Sequence, residues 1–196
     1  MRCLPYMTPV FQAAHLSRKK AVKMTIIFEA TLERIGPFTI LRIPADSSKK
    51  LTSRGIVMVQ GTINGVDFKK PLEPDGKGSH WIEIHPSLSK ELGVDIGETV
   101  SVRMEQTDQW VEPDVPPDIM DAITRKGVSD QWDSLTTRSR WEWIRWIRAT
   151  RNEETRKKRI GVACSKLQNG DKNPCCFNAS LCTVTDVSKS GVLLGS

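Results

Sequence analysis

The sequence predicts an α+β protein in which a small N-terminal β-barrel with one short helix precedes a C-terminal helical module. Short runs rich in β-branched residues, separated by Gly and Pro turns, extend to about residue 111. Three prolines then interrupt any regular structure, and from residue 118 the apolar residues recur at helical spacing. The predicted units are a basic arm (1–23), a barrel (24–111), a Pro-rich linker (112–117), a helical module (118–170) and a Cys-containing tail (171–196).

The barrel strands are predicted from apolar runs at residues 25–32, 38–43, 55–61, 79–84 and 100–105. Asn64-Gly65 lies between two further short runs and predicts a tight hairpin. The single short helix is predicted between His85 and Gly93, because Pro86 suits a first helical turn and Gly93 a C-terminal cap.

The helical module is divided by its capping signals. Asp118 and Ser129 are predicted to cap two short helices. Ser139, with Glu142 three residues later, has the pattern of a capping box and predicts the start of a longer helix. The polar turn at Asn152 predicts the last helix, which ends near Asn169 and Gly170.

Residues 141–160 combine three tryptophans with many basic residues. On a helical wheel, Trp143 and the isoleucines near it form an apolar stripe, whereas Arg145 and Arg148 fall on the opposite side. Trp141 alone accompanies the arginines on that side. The pattern therefore predicts a core helix with a solvated basic face, and a platform for stacking nucleic-acid bases is the alternative.

The net charge of +6 is unevenly distributed. Residues 1–23 contain five basic residues and no acidic one, whereas residues 24–111 contain ten basic and twelve acidic residues. We therefore expect a disordered basic arm rather than one broad basic face. No apolar run approaches the ~20 residues needed to cross a bilayer, so no membrane insertion is expected. Five cysteines without a recognisable secretory signal predict a reducing, cytoplasmic location.

Four of the cysteines lie in or near the tail, spaced C-x10-C-C-x5-C: Cys164, Cys175, Cys176 and Cys182. Because no C-x2-C pair is present, free thiols that pack the tail onto the helices are the favoured interpretation. A structural zinc site and a redox pair remain as alternatives. No cofactor is predicted, and His80 and His85 are interpreted as surface or capping residues.

A resemblance to known families comes from the order of several short motifs. A capped helix with Trp, Ile and Ala, then EETRKKRI, Leu167 and Gly170, resembles the helical module of the YdeI/OmpD-associated family. The preceding part resembles a barrel domain of unknown function that is often fused to that module. Its motifs are residues 28–32 (FEATL), 43–44 (IP), 59–65 (VQGTING), 71–72 (PL), 92–93 (LG) and 97–100 (GETV).

The resemblance covers about residues 24–170. It implies a barrel similar to the double-split barrels of AbrB- and MazE-like proteins, and a small bacterial protein. Some members of the family are linked to stress or antimicrobial-peptide tolerance. The resemblance implies no established enzyme activity and provides no catalytic residues.

The leading hypothesis is a monomeric, non-enzymatic protein that acts through contacts with another protein. Nucleic-acid binding by the AbrB-like barrel and the basic helix is one alternative. A small-molecule site or an enzyme site in the cleft between the two domains is another. The candidate surface for a ligand or partner consists of Trp81, Trp110, Trp141, Arg145, Arg148, Arg156 and Arg159.

Overall fold

The computed structural model describes residues 24–195, so the predicted basic arm lies outside the described residues. The first part of the chain contains the strands β1 (Ile26–Ile35), β2 (Phe38–Ile43), β3 (Val57–Ile63), β4 (Val66–Pro74), β5 (His80–Glu83) and β6 (Thr99–Gln106). These six antiparallel strands form a closed barrel in the order β1-β2-β5-β4-β3-β6. This confirms the predicted barrel.

The barrel core follows from the alternation of side chains along its strands. In β1, Ile26, Phe28, Ala30 and Leu32 are buried, and the residues that alternate with them face outward, as a strand with one solvated face requires. Asn64 and Gly65 both have positive φ angles, 48° and 84°, and join β3 to β4. Such angles are what a two-residue hairpin turn needs, so the predicted hairpin is confirmed.

The barrel segment contains two helices where one was predicted. The predicted helix, α2 (Pro86–Leu92), has His85 as its N-cap and Gly93 in the left-handed conformation at its end. The other, α1 (Ala45–Ser48), is a single turn after Pro44. One turn carries too few residues for a periodic pattern, which explains why the sequence did not reveal it.

Four helices form the second unit: α3 (Pro117–Arg125), α4 (Ser129–Asp133), α5 (Thr137–Arg148) and α6 (Glu153–Gln168). Asn152 caps α6 through a side-chain bond to the backbone N–H of Thr155, as predicted. The predicted cap of α5 is wrong, because Thr136 rather than Ser139 accepts the capping hydrogen bond. Among residues 24–195, none of the helices combines the length and the apolar content that a membrane span requires.

The tail turns back over the barrel and ends in a small hairpin, β7 (Ser188–Lys189) with β8 (Val192–Leu193). Cys182, Val187 and Leu193 pack with Ile40 and Trp81 in a separate apolar cluster. The tail was expected to pack onto the helices through its thiols; in this cluster Cys182 and apolar side chains of the tail pack against strands β2 and β5. Trp81, one of the predicted surface residues, is therefore 1% exposed.

Candidate functional site

A buried group of charged side chains joins the barrel to helix α5. Arg145 is 0% exposed, and its Nε donates to Oε2 of Glu73 in β4 at 3.1 Å. Its Nη1 donates to Glu142 at 3.1 Å, one turn back along α5. The prediction that Arg145 lies on a solvated face is wrong, because the barrel occupies that side of the helix.

The same group extends into the tail. The remaining nitrogen of Arg145 donates to the carbonyl oxygens of Ala179 and Leu181, at 3.0 and 3.1 Å. Arg148 donates to Oε1 of Glu73 at 2.5 Å and to the hydroxyl of Thr183 at 3.0 Å. Arg148 is half-buried, so its predicted place on an open basic face is also wrong. The ion cluster, defined as Glu73, Glu142, Arg145 and Arg148, thus connects barrel, helix and tail.

The electrostatics of the ion cluster show that its charges are compensated. Burial would raise the pKa of Glu73, but the guanidinium groups of Arg148 and Arg145 together outweigh burial and hold that pKa below its ordinary value. For Glu142 burial prevails, and its pKa is raised despite the attraction of Arg145. Because every guanidinium of the cluster already has carboxylate or carbonyl acceptors, we interpret the cluster as a structural connection.

His80, at the start of β5, is also buried rather than on the surface. Its Nε2 lies 2.9 Å from the carbonyl oxygen of Gly55 and must donate there, so Nδ1 accepts from the hydroxyl of Ser48 at 2.7 Å. Burial, with the nearby positive charge of Arg54, lowers the pKa of His80 and favours the neutral ring. The expectation of a surface histidine fails here, while His85 is the helix cap that was predicted.

The other predicted surface residues are dispersed. Trp110 is half-buried beneath the guanidinium of Arg138, whose carbon lies 5.7 Å from the ring centre. The indole N–H of Trp141 donates to the carbonyl of Val111 at 2.8 Å. Arg156 pairs with Asp118 on the helical module. The predicted residues therefore do not form one continuous surface.

The cysteines lie in different places. Cys164 is buried in the core of the helical module, Cys182 is buried against the barrel, and Cys175 and Cys176 are exposed. Burial raises the pKa of both buried thiols. Among residues 24–195 no group of three or more His, Cys, Asp or Glu side chains is arranged to hold a metal ion. The described residues thus do not provide the four-cysteine zinc site considered as an alternative.

An open groove runs between α3 and α6 and encloses about 630 Å³. Its floor is made of Ala122 from α3 and of Ile160, Gly161 and Cys164 from α6. In α6, these residues and Lys157 recur at intervals of three and four, so they share one face of the helix. We call this feature the α3–α6 groove.

Basic residues outnumber acidic residues around the groove. Four basic and two acidic residues line it. Arg156 bridges the groove to Asp118 through bonds of 2.7 and 2.9 Å. At the other end Arg125 and Lys126 pair with no carboxylate of the described residues, and both act electrostatically on the Cys164 thiol at the groove floor. This end of the groove is therefore cationic.

Gly161 in the groove has no role in internal packing. It lies within α6 and is exposed, and a Cβ atom built on it would meet no heavy atom within 4 Å. A mid-helix glycine costs about 1 kcal/mol relative to alanine. No internal contact of the described residues explains why a glycine occupies this position. The missing side chain leaves the floor of the groove open to close approach by a partner.

Sequence reasoning missed both features that matter most here. Glu73 precedes Pro74 in a strand and gave no sign of an ion pair with residues more than 70 positions later. Gly161 interrupts an otherwise helical run, and that signal was available in the sequence as an unfavourable residue without a capping role.

Comparison with known families agrees with the order of the two units. Residues 28–104 match the model of a domain of unknown function, DUF1905. Residues 112–170 match the family described as bacteriocin-protection, YdeI or OmpD-associated. No curated protein matches the chain. The tail that completes the ion cluster lies outside both matched segments.

Proposed function

Because the chain carries a DUF1905 barrel followed by a module of the bacteriocin-protection, YdeI or OmpD-associated family, we propose that it is a non-enzymatic protein of antimicrobial-peptide or stress tolerance. It acts by holding another protein in the α3–α6 groove. The family description names a protective role and an association with a protein. A binding surface is what such a role requires of this chain.

The observation that carries the proposal is the combination of an apolar floor with an exposed mid-helix glycine. Partner helices commonly lay an apolar face into a groove between two helices. The absence of a side chain at Gly161 lets a second backbone come closer to α6 than any other residue would allow. Ile160 and Cys164 lie beneath this opening and provide the apolar contact.

The charged residues of the groove indicate which kind of protein segment binds there. Arg125 and Lys126 form a cationic end without carboxylate partners among the described residues, so a partner with acidic side chains is attracted and a basic partner is repelled. We therefore infer that the occupant is an amphipathic helix with one apolar and one acidic face, contributed by another protein. A nucleic-acid partner is less well supported, because Arg145 and Arg148 are engaged by Glu73.

The test compares groove variants with a matched control on the same helix. Gly161→Leu fills the opening at a position where an added Cβ atom meets no heavy atom within 4 Å, and Lys126→Glu reverses the charge at the cationic end. Lys158→Glu makes the same charge change at an exposed position of α6 that does not line the groove. All three chains are expected to fold, which circular dichroism and thermal unfolding will check.

Two readouts follow. In a strain that lacks the protein, we expect the wild type and Lys158→Glu to restore survival under an antimicrobial peptide, and the two groove variants to fail. In solution, a fluorescent amphipathic peptide with a leucine face and a glutamate face should bind the wild type. Each groove variant should weaken that binding about tenfold or more, as a reversed charge or a blocked contact predicts. Full survival with Gly161→Leu, or equal binding of a peptide with lysines in place of glutamates, would refute the proposal.

A further inference from the structure

A second cavity lies on another side of the molecule, between the α5–α6 connection and the tail. It encloses about 560 Å³, which is within the range of small-molecule sites. Trp146 and Arg159 line it from the helices, and Phe177 and Lys189 line it from the tail. We call it the tail cavity. It shares no lining residue with the α3–α6 groove.

The charge of the tail cavity has one sign. Arg151, Arg159 and Lys189 line it, and none of the described residues that line it is acidic. None of the three cations forms an ion pair with a carboxylate of the described residues. Three uncompensated positive charges around one concavity repel one another, so an anion bound there would relieve an unfavourable arrangement.

The two arginines are held in position while most of their donors stay available. Arg159 donates from Nη1 to the carbonyl of Trp146 at 2.6 Å and lies over that indole ring, 5.4 Å from its centre. Arg151 donates from Nη2 to the carbonyl of Thr185. A guanidinium has five N–H donors, so each arginine keeps several for a ligand. Because the bonds to the backbone restrict both side chains beforehand, binding an anion would cost less conformational entropy.

The remaining wall is partly aromatic and partly hydroxylic. Trp146 and Phe177 provide apolar ring surface, while Thr150, Ser188 and Ser190 provide hydroxyl groups. We propose that the tail cavity binds a small phosphorylated organic molecule. The three cations would hold the phosphate, because guanidinium groups match its oxygen geometry in pairs of hydrogen bonds. The organic part would lie against the two aromatic side chains.

This inference does not depend on the proposed partner in the groove. Neither Trp81 nor Trp110 of the predicted ligand or partner surface lines the tail cavity, since its aromatic residues are Trp146 and Phe177. Eleven of the sixteen residues that line the cavity lie within residues 176–191, outside both family matches. A chain with the two domains but without this tail would lack the site.

The test is isothermal titration of the full chain with three probes: adenosine monophosphate, adenosine and inorganic phosphate. We expect the monophosphate to bind, adenosine to bind at least tenfold more weakly, and phosphate alone to bind weakly because it makes no aromatic contact. Lys189→Gln and Arg151→Gln should each weaken the monophosphate about tenfold, the loss of one charge-assisted contact. Lys158→Gln removes a cation next to Arg159 in sequence but outside the cavity, and should leave the affinity unchanged.

Cys176 supplies an independent readout, because this exposed thiol lines the cavity. In a chain with Cys3→Ser and Cys175→Ser, the monophosphate should slow the alkylation of Cys176, and Lys189→Gln should abolish this protection. Binding of adenosine as tight as that of the monophosphate would overturn the proposal. Absence of binding at millimolar monophosphate, or an unchanged affinity in both cavity variants, would overturn it too.

Discussion

Replacement of Glu73 by glutamine is the sharpest test of how the two domains are joined. The carboxylate side chain is 9% exposed and accepts from Arg145 at 3.1 Å and from Arg148 at 2.5 Å. Glutamine keeps the shape and one acceptor oxygen but directs an N–H₂ group toward one guanidinium. Arg145, with no exposed surface, then retains only the carboxylate of Glu142 to balance its charge.

The expected loss follows from these contacts. A hydrogen bond to a charged group contributes about 1.5–3 kcal/mol, and removing one member of a buried ion pair costs about 3–5 kcal/mol. Glu142 and the tail carbonyls still hold Arg145, so we expect a loss of about 3 kcal/mol in the free energy of unfolding at neutral pH. The matched control is Glu112→Gln, which removes a carboxylate from Arg140 at an exposed site and should cost at most about 1 kcal/mol.

The pH dependence has a definite sign. The folded pKa of Glu73 lies below its ordinary value of 4.5, so the folded chain binds this proton less readily than the unfolded chain does. The stabilisation is complete above pH 4.5 and is lost as the pH falls through the lowered folded pKa. The difference in stability between wild type and Glu73→Gln should therefore be constant near neutral pH and shrink in acid.

Urea unfolding followed by tryptophan fluorescence at several pH values measures both effects. The Glu112→Gln chain serves as the reference throughout. A free energy of unfolding of Glu73→Gln within about 1 kcal/mol of the wild type at pH 7, or a difference that grows in acid, would show that the ion cluster does not stabilise the fold.

Further predictions concern two glycines and the tail. Gly61→Ala should destabilise the barrel by about 3 kcal/mol, because its Cβ atom would lie 1.9 Å from the carbonyl oxygen of Arg103. Gly161→Ala should raise the free energy of unfolding by up to about 1 kcal/mol, because an exposed helix position gains a better helix former; chemical unfolding of both variants checks the opposite signs. A chain that ends at Asn173 exposes Trp81 and removes the carbonyl acceptors of Arg145, so it should lose cooperative thermal unfolding or aggregate, whereas retention of the full-length melting temperature would contradict this.

The sequence predicted the features that depend on neighbours along the chain. The hairpin at Asn64 and Gly65, the cap at Asn152 and the helix between His85 and Gly93 each require only a few consecutive residues to take a particular conformation. The error in the predicted cap of α5 also comes from local signals, since Thr136 and Ser139 can both cap a helix and lie three positions apart. Local signals could not decide between them.

The environment of α5 could not be predicted in this way. A helical wheel shows which side chains share one face of a helix, and its usual interpretation is that the polar face is exposed to water. In this chain the polar side of Arg145 meets the barrel on one flank and the tail on the other. Only the pairing of β4 with its neighbours and the return of residues 171–195 bring Glu73 and the tail carbonyls to that side.

Arg145 can be fully buried because each of its three guanidinium nitrogens has a hydrogen-bond partner. Nε and Nη1 contact carboxylates from two different units, and Nη2 contacts two carbonyl groups of the tail. A buried guanidinium without such partners would destabilise the fold by more than the surrounding contacts stabilise it. The barrel and the helical module therefore join stably only when the tail supplies its carbonyl groups. It follows that the tail is part of the folded structure, and that the tail cavity is formed by the same docking that completes the ion cluster.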